Sequence, residues 1–131
     1  MKKIGILNQP ISCVVAGLGH MDMLVIADAG LPIPANTQRI DLALAEGIPS
    51  FLQTLRVILS ETQMEHAIIA EEMREVSPAL YEALQDALGD TPLEAIPHVA
   101  FKERTRSARA VIRTGEFTPY ANIILVSGVV F

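Results

Sequence analysis

Ala110-Val111-Ile112-Arg113-Thr114-Gly115-Glu116-Phe117-Thr118-Pro119-Tyr120-Ala121-Asn122-Ile123-Ile124-Leu125-Val126 places a polar island between two apolar runs. Uninterrupted apolar runs of this length read as strands covered on both faces. The island, Arg113 to Asn122, holds the Gly and Pro that a turn needs. It also holds Arg113, Glu116, Tyr120 and Asn122, which a connector does not need and which suit the hydroxyls of a small polyol. A binding loop between two buried strands is the reading that organises the rest of the chain.

Outward from this segment, strands and helices alternate. Met23 to Ala27 and His66 to Ala70 are further apolar runs, while Arg39 to Leu44 and Leu93 to Ile96 are shorter strand candidates. Asn8 can cap a helix carrying Ile11, Val14, Val15 and Leu18, ended by Gly19. Ile48, Phe51, Leu52, Leu55, Ile58 and Leu59 form a helical stripe with Pro49 near its first turn. Ser77-Pro78 opens a helix whose inner face is Leu80, Ala83, Leu84, Ala87 and Leu88, closed by Gly89. Val99 to Ser107 reads as a short helix. The expected fold is α/β, one domain over residues 1-131, with a mainly parallel or mixed sheet and helices on both faces. No repeat or linker interrupts it.

Composition narrows the function. Half the residues are apolar, and the mean hydropathy is +0.37. No apolar run approaches the roughly 18 residues of a membrane span. The surplus fits buried interfaces between subunits. Phe131, at the apolar end of the chain, suits docking at such an interface or packing within its own chain. The net charge is -5, and the one basic cluster, Lys102, Arg104, Arg106 and Arg109, is mixed with Glu103. A nucleic-acid role is not expected. The single cysteine, Cys13, allows neither a disulfide framework nor a thiolate metal site within one chain. Met-Lys-Lys followed by Ile-Gly-Ile-Leu-Asn is too quickly polar for a secretory segment, so a cytoplasmic protein is expected.

In parallel sheets, ligands bind beyond the carboxyl ends of strands. Asp28 follows Met23–Ala27, Glu71 and Glu72 follow His66–Ala70, and Arg113 leads from its strand into the Tyr120/Asn122 loop. The glutamates read equally as a solvated helix start. Imidazole can give and take protons near neutral pH. His20 lies outside any apolar face, with Asp22 close enough to orient its ring, and reads equally as an acid–base group or as a surface histidine at a helix end. His98 reads as a ligand contact or a helix N-terminal cap, and His66 as a core or interface histidine. Five strand residues, at about 3.3 Å each, separate His20 from Asp28 by roughly 17 Å. A site shared between two subunits removes that conflict. Gly17-Leu-Gly19-His-Met-Asp22 lacks the third glycine of a dinucleotide fingerprint and precedes its strand. Neither cofactor nor metal is expected.

Lys2–Asn8, Leu18-Gly-His20-x-Asp22, Ala27-Asp28-Ala-Gly-Leu-Pro-Ile-Pro34 and Ala110-Val-Ile-Arg-Thr-Gly-Glu-x-Thr-Pro-Tyr-Ala-Asn122 occur in this order. Together they resemble the D-ribose pyranase (ribose mutarotase) family, relatives of the fucose mutarotases. The match runs from Met1 to Phe131, dense at both ends and sparse from about Thr62 to Arg109. The resemblance implies interconversion of β-D-ribopyranose and β-D-ribofuranose by acid–base ring opening and reclosure, without cofactor or metal. By position it makes His20 the proton donor and Asp28, His98, Tyr120, Ala121 and Asn122 the sugar-binding residues. Asp22, Arg113 and Glu116 are possible supports. It also implies a ring-shaped homo-oligomer, a decamer of two pentamers, with sites between neighbouring chains. The alternatives left open are a mutarotase for another sugar such as fucose and a non-catalytic sugar-binding protein.

Overall fold

The computed structural model describes all residues from Met1 to Phe131. The elements are α1 (Gln9–Ala16), β1 (Met23–Ala27), β2 (Gln38–Asp41), α2 (Phe51–Leu59), β3 (Met64–Ala70), α3 (Met73–Val76), α4 (Pro78–Leu88), β4 (Leu93–Ile96), α5 (His98–Thr105), β5 (Ala110–Arg113) and β6 (Ile123–Ser127). The six strands form one mixed sheet in the order β2-β5-β1-β6-β3-β4. β6 runs antiparallel to β1 and β3, and the remaining neighbours are parallel.

Strand residues alternate between two cores, as a pleated sheet requires. Leu24, Ile26, Ala67, Ile69, Ile112, Ile123 and Leu125 face the larger core with Ile11, Phe51, Leu55, Ile58 and Leu84 from α1, α2 and α4. Val25, Ala27, Ile68, Val111, Ile124 and Val126 face the smaller one, closed by Phe101 of α5 and by Leu31. Both faces are therefore covered, which is why the strands read as continuous apolar runs. No helix is long and apolar enough to cross a membrane.

Several boundaries differ from the sequence expectation. α1 stops at Ala16, not Gly19, as the bonding tightens to three-residue spacing: the Gly17 N–H is shared between the carbonyls of Cys13 and Val14 at 3.2 and 3.0 Å, and the Leu18 N–H donates to that of Val15 at 3.3 Å. Asn8 does cap it, accepting from the Ile11 N–H at 3.0 Å. α2 begins two residues after Pro49, with Ser50 and Gln53 forming a reciprocal capping box. β2 covers only Gln38–Asp41, and β3 starts earlier, at Met64. α3 was not anticipated. His98 is the first residue of α5, and Pro97 holds the cap position. Phe131 is fully exposed within the protomer, so packing against its own chain is not its role.

Candidate functional site

The topology explains what the 113–122 loop reaches. β5 and β6 flank β1 on opposite sides, so their connection must arch over the carboxyl end of β1, where Asp28 begins. The buried Asn122 side chain meets Asp28 there twice. The Asp28 N–H donates to Asn122 Oδ1 at 2.9 Å, and Asn122 Nδ2 donates to Asp28 Oδ2 at 2.7 Å. Asp28 Oδ1 accepts from the Gly30 N–H at 2.9 Å. Both carboxylate oxygens are thus held, with lone pairs left for a further donor. Replacing Asn122 with Ala should remove about 1–3 kcal/mol of stability, because the Asp28 N–H loses its acceptor in a part-buried site. Urea unfolding of Asn122→Ala checks this.

The loop is braced from several directions. Arg113 Nε donates to the Ala29 carbonyl at 3.0 Å, and its Nη1 lies 3.1 Å from both oxygens of Asp41. Thr114, fully buried, donates its hydroxyl to the Ala27 carbonyl at 2.7 Å. Glu116 accepts from the Phe51 N–H at 3.1 Å through Oε2. Its Oε1 accepts from the Thr118 N–H and hydroxyl, at 3.1 and 2.8 Å. Burial works to raise the Glu116 pKa, but these hydrogen bonds outweigh it, and the carboxyl is held below its ordinary 4.5. A depressed folded pKa means stability that is full above the unfolded value and lost as pH falls through the folded one. Wild-type stability should therefore decline as pH drops below about 4.5, and Glu116→Gln should flatten that decline, read by urea unfolding across acid pH.

Tyr120 adopts a left-handed backbone, φ 61°, a conformation that disfavours non-glycine residues by about 1–2 kcal/mol. Two contacts around it hold that shape. The Asn122 N–H donates to the Tyr120 carbonyl at 2.7 Å, and the buried Ser77 hydroxyl donates to the Pro119 carbonyl at 2.8 Å. The Tyr120 ring stands edge-on to His98, centroids 5.1 Å apart at 88°. Phe101 also stacks against His98, centroids 6.1 Å apart at 16°. His98 is itself anchored by Glu72, whose two oxygens accept its backbone N–H at 3.0 and 3.1 Å. The His98 side chain does not cap α5; the Glu72 carboxylate does. Glu71 stays exposed.

Asp28, His98, Tyr120, Ala121 and Asn122 thus gather at one sheet edge. Beside Asp28 lies a cavity of about 410 Å³ lined by Ala29, Gly30, Arg113, Glu116 and Thr118. A larger hollow of about 610 Å³ shares Glu116 to Pro119 but continues toward Val76–Leu80, away from Asp28. Size favours the larger hollow; the convergent polar groups favour the smaller.

His20 lies at the opposite edge. The Met21 N–H donates to the Ser127 carbonyl and the Ser127 N–H to that of Asp22, both at 2.8 Å, which fixes the turn before β1 beside the end of β6. A cavity of about 480 Å³ there is lined by Gly19, His20, Gln63, Ser127, Val130 and Phe131. Asp22 does not orient the ring as expected. Its Oδ2 accepts from the Gly19 N–H at 2.9 Å, and its Oδ1 pairs with Arg109 at 3.0 Å. Those partners, the Gly19 N–H first, hold the Asp22 carboxyl below its ordinary range. The carboxylate facing His20 is Glu65, with Nε2 to Oε2 at 3.7 Å. His66 is half-buried within β3, opposite Val126. Glu65, Ser77 and Thr114 each act on a residue distant in sequence, so residue types along the chain do not mark them as site braces; Glu72, a candidate by its place after β3, braces His98.

Comparison with known proteins adds an independent finding. Residues 1–130 match the model of the RbsD / FucU transport protein family. A D-ribose pyranase of Chloroflexus aggregans is 56% identical over 131 residues, covering 100% of both chains. One of Laribacter hongkongensis is 53% identical over 131 residues, again covering 100% of both. The structure of Bacillus subtilis RbsD complexed with D-ribose superposes with a TM-score of 0.97 at 46% identity, covering 100% of both chains. The chain belongs to the RbsD / FucU transport protein family.

Proposed function

We infer that the chain is an isomerase that interconverts the pyranose and furanose forms of β-D-ribose. The observation that carries this reading is the polar cluster at the carboxyl end of β1, where Asp28, Asn122, Tyr120 and His98 converge. It stands in a fold that matches a ribose-bound relative end to end. Asp28, His98, Tyr120, Asn122 and the Ala121 backbone hold the sugar hydroxyls. His20, as imidazolium, protonates the ring oxygen, and the anomeric hydroxyl gives its proton to Asp28 or to a bound water. The ring C–O bond breaks, leaving the open-chain aldehyde. A different hydroxyl then adds to the carbonyl carbon, giving its proton to the now neutral His20, while Asp28 or the water returns its proton to the carbonyl oxygen, which becomes the new anomeric hydroxyl. Ring opening already proceeds slowly in water, so an acid–base factor of about 10² to 10⁴ suffices.

His20 and Asp28 sit at opposite ends of β1, so one protomer cannot bring them together. The proposed working form is therefore a ring-shaped homo-oligomer, a decamer of two pentamers, in which His20 of one chain completes the sugar cluster of another. The exposed Leu44, Ile48, Phe117, Val130 and Phe131 support burial between copies. The cytoplasm is the proposed compartment.

Co-assembly of two inactive variants tests the shared site. His20→Gln and Asp28→Asn, unfolded together and refolded as mixed oligomers, should regain ribose exchange, because some interfaces then carry both intact residues. Mixed oligomers as inactive as either parent would place the whole site within one chain. Exchange rates on ribose and fucose in parallel test the substrate: ribose should be the faster, and a preference for fucose would reassign it.

A further inference from the structure

His98 carries two unlike ring nitrogens. Nδ1 is shut off from solvent and has no hydrogen-bond partner. The ring stacks on Phe101 and meets Tyr120 at a right angle, and its backbone is pinned by both oxygens of Glu72. A buried donor without an acceptor is rarer in proteins than an under-used acceptor. A proton on Nδ1 would be such a donor, so a neutral ring must carry its hydrogen on Nε2. A doubly protonated ring would bury the same orphan donor and add a charge.

The surroundings point the same way. His98 is the first residue of the eight-residue α5, whose N-terminal dipole disfavours a cation. Burial lowers the pKa of the ring most, and Lys102, one turn along α5, lowers it further. Glu72 at the start of α3 and Asp28 beyond β1 act in the opposite direction and are outweighed. Glu72 spends both oxygens on the backbone N–H, and Asp28 is tied to Asn122 and Gly30.

We propose that His98 serves the sugar as a fixed hydrogen-bond donor through Nε2–H, with Nδ1 unprotonated throughout, and takes no part in proton transfer. The two histidines of the reaction then divide the work. His20 exchanges protons in the open cavity at one sheet edge, while His98 binds a sugar oxygen and keeps its own hydrogen. This inference rests on the ribose-isomerase reading and assigns a charge state and a tautomer within it.

Nitrogen NMR of the histidine-labelled wild-type protein reads both directly, with His98→Gln identifying the His98 signals. Between about pH 8 and pH 6, the range in which an ordinary histidine takes up its proton, His98 should keep one protonated nitrogen, Nε2, and one unprotonated nitrogen, Nδ1. Conversion to the imidazolium pattern in that range, or a hydrogen on Nδ1, overturns the proposal. A ligand readout supplements it. The Gln amide can stand near Nε2 and the Asn amide near Nδ1, so H98Q should bind ribose on the order of tenfold more tightly than H98N, both weaker than wild type. Equal affinities would contradict the assigned donor. Absence of ribose exchange by the wild-type protein would instead remove the isomerase reading, while the spectrum would still report the ring.

Discussion

His20→Gln is expected to abolish the acceleration of ribose ring exchange, a loss of about 10² to 10⁴, while ribose still binds. Gln keeps the length and polarity of the side chain but cannot deliver a proton to a leaving oxygen. The sugar-holding residues lie at the far edge of their own protomer, so their hydrogen bonds within the chain are untouched by this change. His20 is exposed and faces Glu65 at 3.7 Å. Its replacement should therefore leave folding stability within about 0.5 kcal/mol of wild type, as for other surface substitutions. The separation matters: a variant that lost activity and stability together would say nothing about proton transfer. Saturation-transfer rates and ribose affinity, measured on the same preparation, check the pair of expectations.

Gly115→Ala is expected to produce the largest structural effect. Gly115 is buried where the 113–122 loop crosses the segment before α2. A Cβ there would fall on the carbonyl oxygens of Ala45 and Ile48, well inside van der Waals contact, and 2.7 Å from the Ile48 carbonyl carbon. These are backbone atoms, so no side-chain rotation relieves the clash. The same residue accepts from the Gly47 N–H at 2.6 Å and donates to the Pro49 carbonyl at 2.9 Å, so the crossing is also hydrogen-bonded. Overpacking of this kind destabilises by about 1–3 kcal/mol, and more where the backbone must move. The loop that carries Glu116, Tyr120 and Asn122 would shift with it, so ribose affinity should fall as well. Urea unfolding and ribose titration of Gly115→Ala check both effects. Wild-type stability would mean the crossing is looser than these distances say.

Much of the fold was legible because the strands are doubly covered. Met23–Ala27, Ala110–Ile112 and Ile123–Val126 are apolar at every position, and both faces of the sheet are buried, so run length alone located them. The stripes of α2 and α4 were equally plain, since each has one inner face. Strand direction was not legible. β6 is antiparallel to both neighbours, and an apolar run reads the same in either direction. The short α3 escaped because four residues make too little periodicity to detect. The sequence starts the last helix at Val99, one residue late, because the α5 cap is supplied from outside, by Glu72, 26 positions earlier.

The candidate site divides in the same way. The 113–122 loop stood out by composition, and the position of Asp28 after β1 followed from a general rule about parallel strands. Their meeting was not readable from spacing, because Asp28 and Asn122 are 94 positions apart. It follows only once β1 lies between β5 and β6. Asp22 illustrates the converse. It is near His20 in sequence, yet it turns to Gly19 and Arg109, and Glu65 from β3 takes the place beside the ring.

Catalysis of ribose ring exchange is read by nuclear magnetic saturation transfer between ribopyranose and ribofuranose signals. With the wild-type protein present, transfer should rise well above the rate in buffer alone. Ribose binding, seen as shifted protein signals, with transfer no faster than in buffer would contradict the account and leave a sugar-binding protein.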